Sequence, residues 1–479
     1  MKKLNSVKDY NSFIVVNRLR KSTRKRRREI DQFYSDRSRI LYSSSFRRLQ
    51  QKAQVFSLEP NASVRTRLTH SLEVSDLGRT LANNIAYRLK NAGKLTKNNI
   101  LSLVAIVENA CLLHDIGNPP FGHFGEAAIQ DWAKTSIRDF VPDCLLNEID
   151  DEKGLLNELI NDFKEFDGNP QGFRTVTKLY TNHDQYGLNL TYSTLLCILK
   201  YPKTTGEKTD NVIFKKAGYF QTESELVEKI YKSVNMELPH RYPFVYIMEA
   251  ADDIAYCMSD IADGIEKGII TEKDFLSEFK KEWKNKFRDE KIPVTIPKND
   301  ELREFNQDIS IPWSIEAMKE AEENFISAEE KILDGEAESL INNKTKMGRV
   351  LETMKSVSRR ILYTSFEAES IEITGYAVII GILNKYKSIL KMTHKDFEKL
   401  INDDNVKGFD LEKRLLHFIG NRYIEAYKYE LENIDKTERE ASMKEWWLRA
   451  HLIIDHISGM TDEYALETYQ MLEGIRLMR

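Results

Sequence analysis

The sequence predicts an all-α fold with at most one small hairpin. Apolar residues recur at helical spacing in long segments, alternating runs are few, and no internal repeat or low-complexity stretch interrupts the pattern. The periodic segments lie near 64–90, 98–115, 124–135, 222–234, 244–267, 314–333, 346–365, 370–390, 410–432 and 440–473.

The chain opens on a basic arm, residues 1–35, in which Arg18, Arg20, Lys21, Arg24, Lys25, Arg26, Arg27 and Arg28 form a dense run. Such a run is either a solvated arm or a contact for polyphosphate or nucleic acid. Residues 36–280 follow as a helical core. Its 64–90 segment carries His70 near the apolar border drawn by Leu68, Leu72 and Val74. The 98–115 segment ends on His114-Asp115, and Gly117-Asn118-Pro119-Pro120 stops the helix there. His123 stands just before the next helix, with Glu126 three residues on. A short hairpin is expected near 211–220, where Val212, Phe214 and Tyr219 flank Ala217-Gly218. The 244–267 segment sets Asp252, Tyr256 and Asp260 at i, i+4 and i+8 among alanines and isoleucines. Residues 281–312, charged and proline-bearing, are expected to form a linker or loop before a helical C-terminal region, 313–479.

At 479 residues, 41% hydrophobic and 10% aromatic, the chain can bury a substantial core. No apolar run reaches the roughly 18 residues of a membrane helix, and the N-terminus lacks a signal-peptide core, so the expected location is the cytoplasm. Cys111, Cys144, Cys197 and Cys257 are widely spaced without a CxxC and read as buried free thiols. A net charge of −4 implies no whole-molecule attraction to nucleic acid.

An imidazole and a carboxylate on consecutive positions, as in His114-Asp115, reach one cation only where a helix ends or bends. The other reading is a helix C-terminus whose His complements the dipole and whose Asp caps the next turn. Three features favour the metal: His70, His123 beside Glu126, and the acidic face of the 244–267 helix. Carboxylates among apolar residues are costly unless paired or bound to a cation.

An ordered His, then His-Asp, then a distant Asp resembles the HD superfamily of metal-dependent phosphohydrolases. The words FRRLQQKAQVF (46–56), RTRLTHSLEV (65–74), HDIGNPPFGHFGEAAI (114–129), MEAADDIAYC (248–257) and ISGMTDEYA (457–465) resemble its deoxyguanosine triphosphate triphosphohydrolase branch. The likeness spans nearly the whole chain from about Asp36. It implies an HD-domain helical core completed by the C-terminal helices. It also implies a reaction: water attacks the α-phosphorus of a deoxynucleoside triphosphate, dGTP foremost, releasing deoxynucleoside and tripolyphosphate.

The resemblance makes His70, His114, Asp115 and Asp252 metal ligands; Asp253 is the competing carboxylate, disfavoured by the spacing of Asp252 to Tyr256 and Asp260. Such a mixed set suits Mn²⁺ or Fe²⁺, with Mg²⁺ a harder fit to two nitrogens. His123 would exchange a proton, oriented by Glu126. Tyr256 would exclude a ribose 2′-hydroxyl, Asp260 would accept from the 3′-hydroxyl, and Gln54 would join them at the sugar. Arg67, Asn169, Lys200 and Tyr201 would hold the polyphosphate. Glu372 and Arg414 match positions that read guanine, although each also reads as a surface ion pair. The family typically has Glu-Gly-Asn-Ala-Gln where this chain has Asp167-Gly168-Asn169-Pro170-Gln171, and the stretch from Asn169 to Lys200 is lengthened, which bears on Lys200-Tyr201. Ring-like hexamers and a response to single-stranded DNA, with the basic arm as candidate contact, complete the implied picture.

Two other functions fit the residues. One is an HD hydrolase acting on other nucleotides, such as dNTPs broadly, alarmones or cyclic dinucleotides. The KAQVF and ADDIAY words with Tyr256 favour dGTP over the alarmones and cyclic dinucleotides. The other is a catalytically idle regulator that binds nucleotides or single-stranded DNA, and the complete ligand set with His123 and Glu126 argues against it.

Overall fold

A computed structural model describes residues 9–21, 28–148, 154–180, 184–209, 211–288, 290–297, 304–402, 407–434 and 440–476. Among these residues the regular structure is helical, no strand forms, and two isolated bridges pair Ala53 with Thr66 and Thr204 with Tyr219. The all-α prediction holds. Helical periodicity reappears as Arg67–Asn91, Ile100–Leu113, Gly122–Thr135, Ser224–Ser233, Val245–Glu266 and Lys346–Ile361.

Longer predicted segments are broken by turns. The 440–473 segment divides into Ala441–Ser458 and Asp462–Leu472, because Thr461 opens a new helix by accepting from the Tyr464 N–H at 3.3 Å. The 410–432 segment divides at Ile419-Gly420, and 370–390 divides into Phe366–Lys385 and Lys387–Lys391.

The hairpin expectation is corrected. Residues 211–220 contain the 3₁₀ turn Val212–Phe214, opened by Asn211, whose side chain accepts from the Ile213 N–H at 3.0 Å. A local side-chain bond wins there over strand propensity. The basic arm is corrected in its described part. Tyr10 is buried with its ring 6.2 Å from Phe244 and 6.0 Å from Phe325, so the arm packs on the core. Arg18 forms a buried 2.6 Å ion pair with Asp36, Arg20 pairs with Asp184 at 2.6 Å, and Arg28 with Asp31 at 2.9 Å. Arg24, Lys25, Arg26 and Arg27 lie outside the described residues. Cys111, Cys197 and Cys257 are buried free thiols, whereas Cys144 is exposed. Among the described residues no helix is long and apolar enough to cross a membrane.

Among the described residues, buried apolar side chains form two cores. The first is built around Arg67–Asn91, Ile100–Leu113 and Val245–Glu266 and takes in Trp283, Val294, Phe305 and Ile309 from the 281–312 stretch. Gly78 allows a close approach there: an added Cβ would come within 2.4 Å of Cys111 Sγ. The helix that carries His70 thereby lies against the helix that ends at His114. The second core joins Gly122–Thr135 to Phe366–Lys385, Asn421–Glu432 and Ala441–Ser458. The His-Asp turn, residues 114–121, runs from one core to the other, and a polar cavity opens along it.

Candidate active site

Past the end of the Ile100–Leu113 helix, a tight turn brings Asp115 beside His114: the Ile116 N–H donates to Leu113 O at 3.0 Å and the Asn118 N–H to Asp115 O at 3.2 Å. His114 Nδ1–H donates to Cys111 O at 2.7 Å. Nε2 is then the lone-pair nitrogen, and it is buried without a hydrogen-bond partner. His70 is fully buried with neither ring nitrogen bonded, and its ring lies 5.4 Å from that of His114. Donor atoms of His70, His114 and Asp115 all lie within 4.8 Å of one another. Asp252 adds Oδ1, at 3.5 Å from His70 Nε2 and 3.3 Å from His114 Nε2. Buried imidazole nitrogens without partners are costly; beside two carboxylates they make a donor set that fits a divalent cation.

Both carboxylates are held charged. Arg67 donates to Asp115 Oδ2 at 2.5 Å, and Asn118 Nδ2 donates to Oδ1 at 2.7 Å. Burial opposes that charge, yet the Arg67 guanidinium holds the Asp115 carboxyl well below the usual range. Lys200 acts likewise on Asp252, donating to Oδ2 at 2.8 Å. Asp253, the competing carboxylate, pairs with Lys355 at 2.9 Å.

His123 is exposed at the cavity mouth, and its Nδ1 lies 2.7 Å from Glu126 Oε2. That hydrogen bond and the charge behind it raise the imidazole pKa. Glu126 is itself fixed, since its Oε1 accepts from the Gly168 N–H at 2.8 Å. Imidazole, carboxylate and helix start thus form one connected unit.

The cavity measures about 590 Å³, within the size range of small-molecule sites. Gln54, Tyr256 and Tyr363 line one part, and the Tyr256 hydroxyl bonds the Tyr363 hydroxyl, which donates to Asp260. Asp260 lies behind this pair, and burial pushes its carboxyl up to about 7. Arg67, Asn169, Lys200, Tyr201 and Lys216 supply the cationic and polar lining. Asn169 Nδ2 donates to Asp167 Oδ1 at 2.5 Å, and Lys216 donates to Asp167 Oδ2 at 2.5 Å. Glu372 lines the cavity beside Ile371, its pKa raised by burial and then by Glu369.

Among the sequence-selected residues, Asp260 stands behind the cavity lining at Tyr363, and Arg414 is outside it altogether. It is exposed on the Asp410–Phe418 helix, donates to Asp410 O at 2.6 Å, and does not line the cavity. A partner one helical turn back satisfies it locally. Lys216, Lys355 and Tyr363 line the cavity but escape sequence reasoning. No periodicity or motif separates Lys216 or Lys355 from the other lysines, and Tyr363 follows the last turn of an ordinary amphipathic helix.

Residues 67–155 match the family model described as HD domain, and residues 397–471 match the phosphohydrolase-associated domain. The chain is 36% identical over 485 residues to the deoxyguanosinetriphosphate triphosphohydrolase of Enterobacter sp. (strain 638), covering 92% of this chain and 94% of that protein. It is 34% identical to the protein of that name from Serratia proteamaculans (strain 568), over 92% and 94% of the two chains. The one from Yersinia pseudotuberculosis serotype O:3 (strain YPIII) is 36% identical over 92% and 93%. With this identity sustained along nearly its whole length, the chain belongs to the deoxyguanosinetriphosphate triphosphohydrolase family.

Proposed function

We propose that this protein hydrolyses deoxynucleoside triphosphates, dGTP foremost, to deoxynucleoside and tripolyphosphate by attack of water at the α-phosphorus. The observation that carries the reading is the pair of unpartnered, buried Nε2 atoms of His70 and His114 beside two carboxylates in a cavity lined by cations and phenols. His70, His114, Asp115 and Asp252 would hold a divalent metal, Mn²⁺ or Fe²⁺ by ligand type and Mg²⁺ less readily. When bound, that ion supplies positive charge against the phosphate and makes a water more acidic.

The residues of the chain do the rest. Arg67, Lys200, Tyr201 and Asn169 bind and orient the polyphosphate, with Lys216 beside them. His123, held by Glu126, exchanges a proton at the reacting phosphate or its leaving group. The Tyr256 ring excludes a 2′-hydroxyl and Asp260 accepts from the 3′-hydroxyl, with Gln54 alongside. Glu372 faces the base. A panel of the four dNTPs and GTP with Mn²⁺, followed by tripolyphosphate release, tests the reading. Fast release from dGTP supports it; release of pyrophosphate or orthophosphate instead would assign a different phosphohydrolase reaction.

The same proposal includes a cytoplasmic homo-oligomer, hexameric as the family resemblance implies, and single-stranded DNA as a regulator contacted by the basic run. With Arg18 buried in its pair with Asp36, Arg20, Lys21, Arg24, Lys25, Arg26, Arg27 and Arg28 are the candidates for DNA, Arg20 and Arg28 from exposed surface pairs. Salt-titrated oligonucleotide binding to the wild type and to a variant with Arg24, Arg26, Arg27 and Arg28 changed to Ser tests this; equal affinities end that role.

A further inference from the structure

Asp462 begins the Asp462–Leu472 helix directly after its cap residue Thr461, and it is 2% exposed. Its Oδ1 accepts from the Phe121 N–H at 3.0 Å, and its Oδ2 accepts from the Ala53 N–H at 3.0 Å. Both donors adjoin the cavity: Ala53 precedes Gln54, and Phe121 stands two residues before His123. One carboxylate therefore ties together two segments separated by 68 residues and anchors both to the C-terminal region.

Phe121 is the unusual member. Its backbone is left-handed at φ 60 and ψ 21, and Gly122 follows at φ 55. Glycine adopts this conformation freely, but for Phe the Cβ crowds the carbonyl oxygen, so the surroundings must hold it. Two contacts do so. Asp462 fixes the N–H, and the ring lies against Gly375, where an added Cβ would come within 2.4 Å of it. Lys52 braces the same turn, its buried ammonium donating to Asn118 O at 2.5 Å and to Ser458 O at 2.8 Å. These two left-handed residues set the direction in which the Gly122–Thr135 helix departs, and hence where His123, its second residue, points.

We propose that Asp462 is a positioning residue for the reaction, acting through the left-handed Phe121 to place His123. The inference rests on the reading of His123 as the proton-transfer group.

Asp462→Asn preserves size but offers one acceptor oxygen, so one of the two N–H groups faces an amide NH₂. With dGTP and Mn²⁺, kcat is expected to fall about 10- to 100-fold while Mn²⁺ affinity stays within about threefold. Made in a His123→Ala background, the same change is expected to cost nothing further, because both act on one step. Wild-type kcat in Asp462→Asn, or losses that simply multiply in the double variant, overturns the inference. Wild-type turnover in His123→Ala alone overturns the underlying reading of His123 instead. Should Asp462→Asn lose its cooperative thermal transition, Gly375→Ala displaces the Phe121 ring from the other side. The same non-additivity with His123→Ala is expected of it, and multiplying losses count against the inference equally.

Discussion

Lys200 donates to Oδ2 of Asp252 at 2.8 Å, while Oδ1 of the same carboxylate stands 3.5 Å from His70 Nε2 and 3.3 Å from His114 Nε2. The ammonium fixes one oxygen and so aims the other at the imidazoles. Partners that orient a ligand in this way contribute to metal affinity as well as to substrate binding. Lys200→Ala is expected to weaken Mn²⁺ binding about 10- to 100-fold in the absence of nucleotide. Calorimetric titration reads this directly, and unchanged affinity would restrict Lys200 to the phosphates. Asp115→Ala and His114→Ala are expected to abolish both bound metal and turnover in a folded protein. Full metal occupancy in Asp115→Ala would remove that residue from the ligand set.

His123 and Glu126 form a separate unit, 2.7 Å apart. His123→Ala is expected to lower turnover by roughly 10²- to 10⁴-fold with metal retained, the range of a general acid-base group. Glu126→Gln removes the charge that raises the imidazole pKa, so the pH profile of kcat should move to lower pH. A profile that does not move would mean the imidazole titrates independently of Glu126.

The helical architecture, and the metal-site words in particular, were legible because each sits on a local signal. His114-Asp115 stands at a helix stop, and Asp252, Tyr256 and Asp260 share a helix face. Long-range contacts left no such signal. Nothing in the order of residues indicates that Asp253 would pair with Lys355 across 102 positions, or that Tyr363 would link Tyr256 to Asp260. Composition misled at Arg18, which reads as part of a basic run but is buried against Asp36. Arg414, which the family resemblance offers as a base contact and which also reads as a surface ion pair, bonds within its own helix.

His456 predicts an acid-side loss of stability. It is buried with its ring 6.3 Å from that of Tyr386 and 5.9 Å from that of Tyr423, and burial, then Arg48, pushes its pKa down from 6.5 to about 3. The unfolded chain takes up a proton below about pH 6.5 that the folded chain refuses until about pH 3. Stability is therefore undiminished above pH 6.5 and falls as pH drops through the window, by up to about 1.4 kcal/mol per unit. His456→Gln removes this contribution. Denaturant unfolding at pH 7 and pH 5 should show a smaller loss in the variant, by about 1–2 kcal/mol; equal losses would mean the imidazole is protonated in the fold.

Sugar selection is proposed to turn on Tyr256, whose hydroxyl is fixed by Tyr363, which in turn donates to Asp260. A ring tethered at its far end cannot swing aside for an extra hydroxyl, so exclusion by contact becomes stringent. The wild type is expected to hydrolyse dGTP and leave GTP intact. Tyr256→Ala should narrow the gap by opening space, at some cost in dGTP turnover. Tyr363→Phe keeps the ring at 256 but cuts its tether and the bond to Asp260. It should relax discrimination less than Tyr256→Ala does and raise the KM for dGTP, since a carboxyl that burial pushes up to about 7 loses its donor. Kinetics with dGTP and GTP on the three proteins decide the matter. Equal wild-type activity on both nucleotides would undo the deoxynucleotide assignment, and unchanged discrimination in Tyr256→Ala would move the gate elsewhere in the cavity.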